Sequence, residues 1–248
     1  MHSLLIGLTV AATLVSAAVE ENTAQEKADG RPIRVLLVTG VDYKGHHWKE
    51  TTPVIRELLE EDKRFKVRVV ETPDFLANDE IFNYDVIFLH FKNYKPLADE
   101  KQAQENLLKF VKQGKGLFAF HFACGAFEKW PEFANLVGKV WDQKTGHDRR
   151  GPFTVKIVDS EHPITRSMND FQADDELYTC LIGELPVKVL ATSRSKVTGK
   201  DHPMAFVFNY GKGRVFHSPL GHDVRAIRKP GVAELIRRGC AWAAGHKP

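Results

Sequence analysis

From Arg34 onward the chain alternates short apolar runs with stretches whose apolar residues recur every three or four positions. Val35-Leu36-Leu37-Val38, closed by Gly40, has the length and punctuation of a buried strand. Thr52-Pro53 opens or reinforces a helix that places Ile55, Leu58 and Leu59 on one face. Residues 67–70 and 85–90 read as the second and third strands. A helix from about Asp99 carries Ala103, Leu107, Phe110 and Val111 at helical spacing and stops at Gly114. Residues 116–121 are apolar on both faces, which suits a central parallel strand. This β-α-β-α-β order predicts helices on both sides of one sheet.

The second half is richer in strands, expected at 153–158, 187–191, 205–209 and 214–217. The last two flank Tyr210-Gly211-Lys212-Gly213, a hairpin turn and not a phosphate loop, because a strand follows it. A helix after Pro230 closes the chain, with Val232, Leu235, Ile236 and Trp242 as its buried stripe. Repeats and interdomain linkers are absent. The fold class predicted is α/β: three layers around a mostly parallel central sheet, with a strand-rich second half.

Composition narrows the function. A chain of 248 residues with 43% hydrophobic and 27% charged residues is ordinary for a globular domain. Its formal charge of +3, without a Lys/Arg block, argues against a nucleic-acid partner. Residues 1–18 form an apolar run ending in small residues, the pattern of a signal peptide, although its start carries His2 and no Lys or Arg. The expected organisation is a signal peptide at 1–18, a disordered polar linker at 19–31 and one domain at 32–246. The mature protein is then secreted or periplasmic and not integral to a membrane; an uncleaved anchor is the rival reading. Three cysteines, Cys124, Cys180 and Cys240, make no disulfide framework.

Ligands of open parallel sheets bind outside the carboxyl ends of the strands. His46 and His47 follow the first strand, His90 ends the third, His121 ends the fourth, and His217 and His222 accompany the last. Imidazoles delivered to one rim from distant segments make a candidate site, since histidine serves as acid, base or metal ligand near neutrality. His121 also fits a strand-to-helix elbow, with small Ala119 and Ala123 two positions away on either side; Cys124 has bulky Phe122 instead. Asp174-Asp175-Glu176 is either a solvated loop or, facing the rim, a source of a base. His147 sits in a polar loop able to close over the rim, and His202 precedes a strand.

In these stretches the sequence resembles the ThuA-like (trehalose-utilisation) family, whose fold is similar to class I glutamine amidotransferases. The resemblance rests on VLLVTGVDYKGHHWKETTPVIRELL, GKGLFAFHFACGAFEKWPEFANLVGKVW, FQADDELYT and HPMAFVFNYGKGRVFHSPLGHD. It implies His47, His121, His147, Glu176, Tyr178, His222 and Asp223 as pocket residues, and a carbohydrate-processing role. Unlike the amidotransferases, the chain has a histidine at the elbow and lacks a Glu two residues after His222.

The leading expectation is an enzyme (a hydrolase, lyase or isomerase) acting on a small sugar, disaccharide or keto-sugar. His121, His222 and Glu176 are its expected catalytic residues, and His47, His147, Asp175, Tyr178 and Asp223 its substrate contacts. Imidazoles plus a carboxylate leave room for a divalent metal such as zinc, but no local ligand motif fixes one. The alternatives are a cysteine-dependent hydrolase or amidotransferase using Cys124 and a non-catalytic sugar-binding module. Assembly into a homo-oligomer is left open.

Overall fold

The computed structural model describes residues 30–248, so the expected signal peptide and all but the last two linker residues lie outside the described residues. In chain order the elements are β1 (Ile33–Val38), α1 (Trp48–Glu60), β2 (Phe65–Val70), β3 (Val86–Leu89), α2 (Glu100–Lys112), β4 (Gly116–Phe120), α3 (Glu132–Val137) and β5 (Gly146–His147). They continue with β6 (Gly151–Ile157), β7 (Phe171–Asp175), β8 (Tyr178–Thr179), β9 (Lys188–Arg194), β10 (Asp201–Tyr210), β11 (Gly213–Ser218), α4 (Val224–Ile227) and α5 (Pro230–Ala243).

Nine strands form one sheet in the order β2-β1-β3-β4-β11-β10-β9-β6-β7. Its first five strands pair in parallel. Beyond β11 the pairing turns antiparallel through β10, β9, β6 and β7. The parallel half therefore has the flavodoxin-like 2-1-3-4-5 order, whose ligand crevice opens between the first and third strands in sequence. Strands buried on both faces need apolar residues at every position. Val86–Leu89 and Gly116–Phe120 meet that demand. One face is packed by α1 and α5, with Ile55, Leu59, Leu235 and Ile236 against Leu37, Phe88 and Phe118. The other is packed by α2 and α3, with Leu107, Phe110 and Leu136 against Leu36, Ile87 and Leu117. Among the described residues no helix is long and apolar enough to cross a membrane.

Most predicted elements occur, with informative departures. Helix α1 starts at Trp48, so Pro53 lies inside it and does not open it. The Asp99 carboxylate caps α2 by accepting from the Gln102 amide. The hairpin turn between β10 and β11 uses Gly211 at φ 60°. Trp242 is only partly buried on α5, its ring edge-on to His162. The acidic run at 174–176 is no surface loop: β7 pairs with β6 across Phe171–Asp175, and Asp175 is completely buried.

His217 lies within β11 and points away from the strand ends, its ring against Phe206 and its Nδ1 donating to the Val137 carbonyl at 2.9 Å. Burial disfavours its charged form and pushes its pKa down to about 4 from an ordinary 6.5. The unfolded chain therefore binds a proton that the folded chain refuses between those values, and stability falls as pH drops through that window. At about 1.4 kcal/mol per unit, this histidine alone makes the protein ~2 kcal/mol less stable at pH 5 than at pH 7. Urea unfolding at both values should show a loss smaller by about that amount in His217→Gln; equal losses in the two proteins would refute the assignment.

Candidate functional site

The site forms where β1, β3, β4 and β11 end. A cavity of about 210 Å³ opens there, lined by His46, Lys92, Phe122, Cys124, Trp141, His147, Glu176, Tyr178 and His222, with Tyr43, Gly45, Tyr94 and Gly125 completing the wall.

His121 follows directly on β4 and adopts φ 49°, a left-handed conformation that costs a non-glycine residue roughly 1–3 kcal/mol. The expected elbow is thus present, but it leads into a short 3-10 turn, His121–Gly125, and not into an α-helix. The ring is fully buried, and its Nδ1 lies 2.7 Å from the Pro219 carbonyl oxygen. A carbonyl only accepts, so Nδ1 carries the proton and Nε2 the lone pair. That lone pair accepts from the Tyr178 hydroxyl at 3.0 Å. Burial, then the neighbouring His46, holds the His121 pKa well below the ordinary value.

His46 reaches the same point from the loop after β1. Its ring stacks flat on Phe122, with centroids 4.4 Å apart and planes 8° from parallel. Its Nδ1 is buried without a hydrogen-bond partner. Burial, with His222 nearby, lowers its pKa to about 4. His222 enters from the loop after β11. The preceding Gly221 has φ 119°, and a Cβ there would fall 2.1 Å from the Phe120 ring, so only glycine closes this turn.

Facing the imidazoles is Glu176, with Oε2 3.2 Å from His222 Nδ1 and Oε1 3.9 Å from His147 Nδ1. Burial raises the Glu176 pKa, but the bond and charge of His222 outweigh it and hold the carboxyl below its usual range. Burial correspondingly opposes a charge on His222, and Glu176 overrides it, raising the His222 pKa. The two shifts reinforce each other, so the cavity wall carries a carboxylate beside an imidazole drawn toward its charged form.

Asp175 explains how Glu176 gets there. Its buried carboxylate accepts from the amides of Glu176 at 2.8 Å, Gly221 at 2.6 Å and His222 at 3.1 Å. Desolvation nonetheless dominates and lifts its pKa to about 6. Its oxygens are engaged by backbone, so it positions the loop and does not face a ligand.

The other expected residues divide. Tyr178, on β8 opposite His147 on β5, is in the wall with Trp141 edge-on at 4.9 Å. His147 is at the mouth, its side chain 42% exposed. His47 is not in the cavity: it immediately precedes α1, points outward and lies 3.6 Å from Glu50, while its neighbour His46 takes the inner position. Asp223 instead caps α4 by accepting from the Ala226 amide, and it pairs with Arg150 at 2.5 Å. His90 lies behind the wall, edge-on to Phe122 and 2.8 Å from Thr51 Oγ1. His202 belongs to β10 and accepts from the Cys180 amide. Lys92, paired with Glu128 at 2.9 Å, was not anticipated; its one sequence signal is its place two residues past a strand-end histidine. Cys124 lines the cavity, but burial pushes its thiol up to about 12, the opposite of an activated nucleophile.

One ring nitrogen from each of His46, His121 and His222 lies within 4.8 Å of the other two, so among the described residues these three could share a metal ion. Chemically the cavity offers a carboxylate base, N–H and O–H donors, and aromatic walls.

Comparison with solved structures supports this architecture. A protein described as ThuA-like from Parabacteroides merdae aligns with TM-score 0.78 and 26% identity over 88% of this chain and 92% of its own. A second, from Bacteroides uniformis, aligns with TM-score 0.69 and 18% identity over 89% and 94%. The β-galactosidase of Bacillus circulans contains a similar fold, with TM-score 0.61 and 12% identity over 88% of this chain but 32% of that one. No curated protein matches the sequence. The family model described as "ThuA: Trehalose utilisation" matches residues 34–243. With almost the whole described domain covered, the chain belongs to the ThuA family.

Proposed function

We propose that the protein is a carbohydrate-processing enzyme that moves a proton on a small sugar, disaccharide or keto-sugar bound at the carboxyl edge of the sheet. The observation that carries this reading is the Glu176–His222 pair on the wall of a cavity that also presents Tyr178 and Trp141. Aromatic faces suit the apolar side of a pyranose ring. The N-terminal apolar run makes an extracytoplasmic place of work part of the same proposal.

In this reading each residue has a role. Glu176, kept ionised, is the base that takes a proton from a carbon next to a carbonyl or from a hydroxyl. From the carbon, the electron pair released moves onto the carbonyl oxygen; from a hydroxyl, it stays on that oxygen. In the cavity wall the His222 nitrogen turned away from Glu176 is the nearest donor to the carbonyl oxygen when protonated, and the Tyr178 O–H becomes a second by turning from His121 Nε2. His147 at the mouth is placed to exchange the proton with solvent. Reprotonation at the neighbouring carbon completes an isomerisation, expulsion of a substituent one carbon further on completes an elimination, and addition of water to the eliminated product makes the net reaction a hydrolysis. The Cys124 alternative is disfavoured because its thiol is held protonated.

Purified protein incubated with disaccharides and their 3-keto derivatives, followed by NMR, should convert at least one member of the panel. Glu176→Gln should lower kcat by about 10²- to 10⁴-fold with a small change in KM. No conversion anywhere in the panel, or equal rates for Glu176→Gln and wild type, would remove the enzyme reading.

Asp175→Ala strands one buried amide, that of Gly221, and two part-buried ones, and each unsatisfied buried group costs about 1–3 kcal/mol. A loss of at least ~3 kcal/mol in urea unfolding is expected; a loss under ~1 kcal/mol would show that the Gly221-His222 loop holds without this carboxylate.

A further inference from the structure

We infer that His46, His121 and His222 form a three-histidine site for one divalent transition-metal ion of the zinc type, with a fourth coordination position open to the cavity. The inference goes beyond the sugar reading and stands whether or not a sugar is the substrate.

Ring geometry is the main argument. The centroids form a compact triangle, 4.8 Å from His46 to His121, 4.9 Å from His46 to His222 and 5.6 Å from His121 to His222. The planes meet at 82°, 70° and 77°. Each pair taken alone is an ordinary T-shaped aromatic contact. What packing does not require is that one ring nitrogen from each of the three histidines lies within 4.8 Å of the other two.

The polar surroundings agree. His121 gives its Nδ1 proton to a backbone carbonyl, leaving Nε2 inward. His222 Nδ1 faces the Glu176 carboxylate, leaving its other nitrogen for the shared point. Carbonyl and carboxylate partners on the outer nitrogen are what metal-ligating histidines usually have. His46 is nine-tenths buried and still leaves a ring nitrogen unpartnered, an expense that an ion offsets. Nitrogens on one tetrahedral zinc are about 3.3 Å apart, so a spread within 4.8 Å closes with ring shifts on the order of 1 Å. The Tyr178 hydroxyl, now on His121 Nε2, must turn from that lone pair toward the cavity.

Three imidazoles with an open position are a catalytic and not a structural zinc arrangement. The ion would present a Lewis acid in place of N–H donors, with Glu176 unchanged beside it.

The test uses untagged protein, stripped with a chelator and titrated with Zn²⁺ alone. Metal content after gel filtration and the thermal midpoint are the readouts, with circular dichroism confirming that each metal-free variant is folded. Wild type and His47→Ala should each retain one equivalent and gain thermal stability. His46→Gln and His121→Gln should lose at least tenfold in affinity and most of the gain. Wild type retaining no zinc, or both Gln variants binding as wild type does, would overturn the site. Because no sugar enters the experiment, a failure here is separable from failure of the proposed enzymatic role.

Discussion

One buried carboxylate holds the molecule's two halves in register where it matters. Asp175 stands at the end of β7, the edge strand of the antiparallel extension, yet two of the three amides it binds belong to the loop that leaves β11 of the parallel half. Without that clamp the extension would still pair strand to strand, and its acidic end would be tied to the histidine rim by side-chain contacts alone, such as Arg225–Asp174 at 3.2 Å and Tyr178–His121 at 3.0 Å. With it, Glu176 sits beside His222, and an acid from one side of the sheet meets imidazoles from the other. The clamp is expensive, as the upward shift of its own pKa shows: desolvation outweighs three amide dipoles.

The parallel half was legible in the sequence because its signals are local. Runs such as 86–89 and 116–120 are apolar throughout, and the parallel order then follows from alternation with helices. His121 was legible for a similar reason, since an elbow needs small residues at fixed offsets and Ala119 and Ala123 supply them. The carboxylates were harder. Three adjacent acids look solvated, and only the pairing of β6 with β7 reveals that Asp175 turns inward while Glu176 faces the cavity. Between His46 and His47 the sequence offers no preference: which one enters depends on where α1 begins, and a start at Pro53 is five residues too late. Asp223 reads as chemistry next to His222, but the amide of Ala226 claims it as a cap.

Two environments coexist within a few ångströms. His46 and His121 are held neutral by burial, while His222 is drawn toward the charged form by Glu176. Neighbouring groups of one type with opposed proton preferences are characteristic of sites that handle protons, because each state needed in a cycle is available without reorganisation. Phe122, pressed flat on His46 with His90 edge-on to it, keeps this contrast by shielding the inner rings.

The division of the sheet at β11 has an evolutionary consequence. The imidazoles hang from the parallel half, whereas Glu176, Tyr178 and His147 come from the antiparallel extension and the short β5–β8 ladder. Insertions or replacements in the latter segments can recast the acid and the aromatic wall while leaving the histidine triangle untouched. A lineage built on this plan can therefore vary the carboxylate and the aromatic faces on their own segments without disturbing the imidazoles.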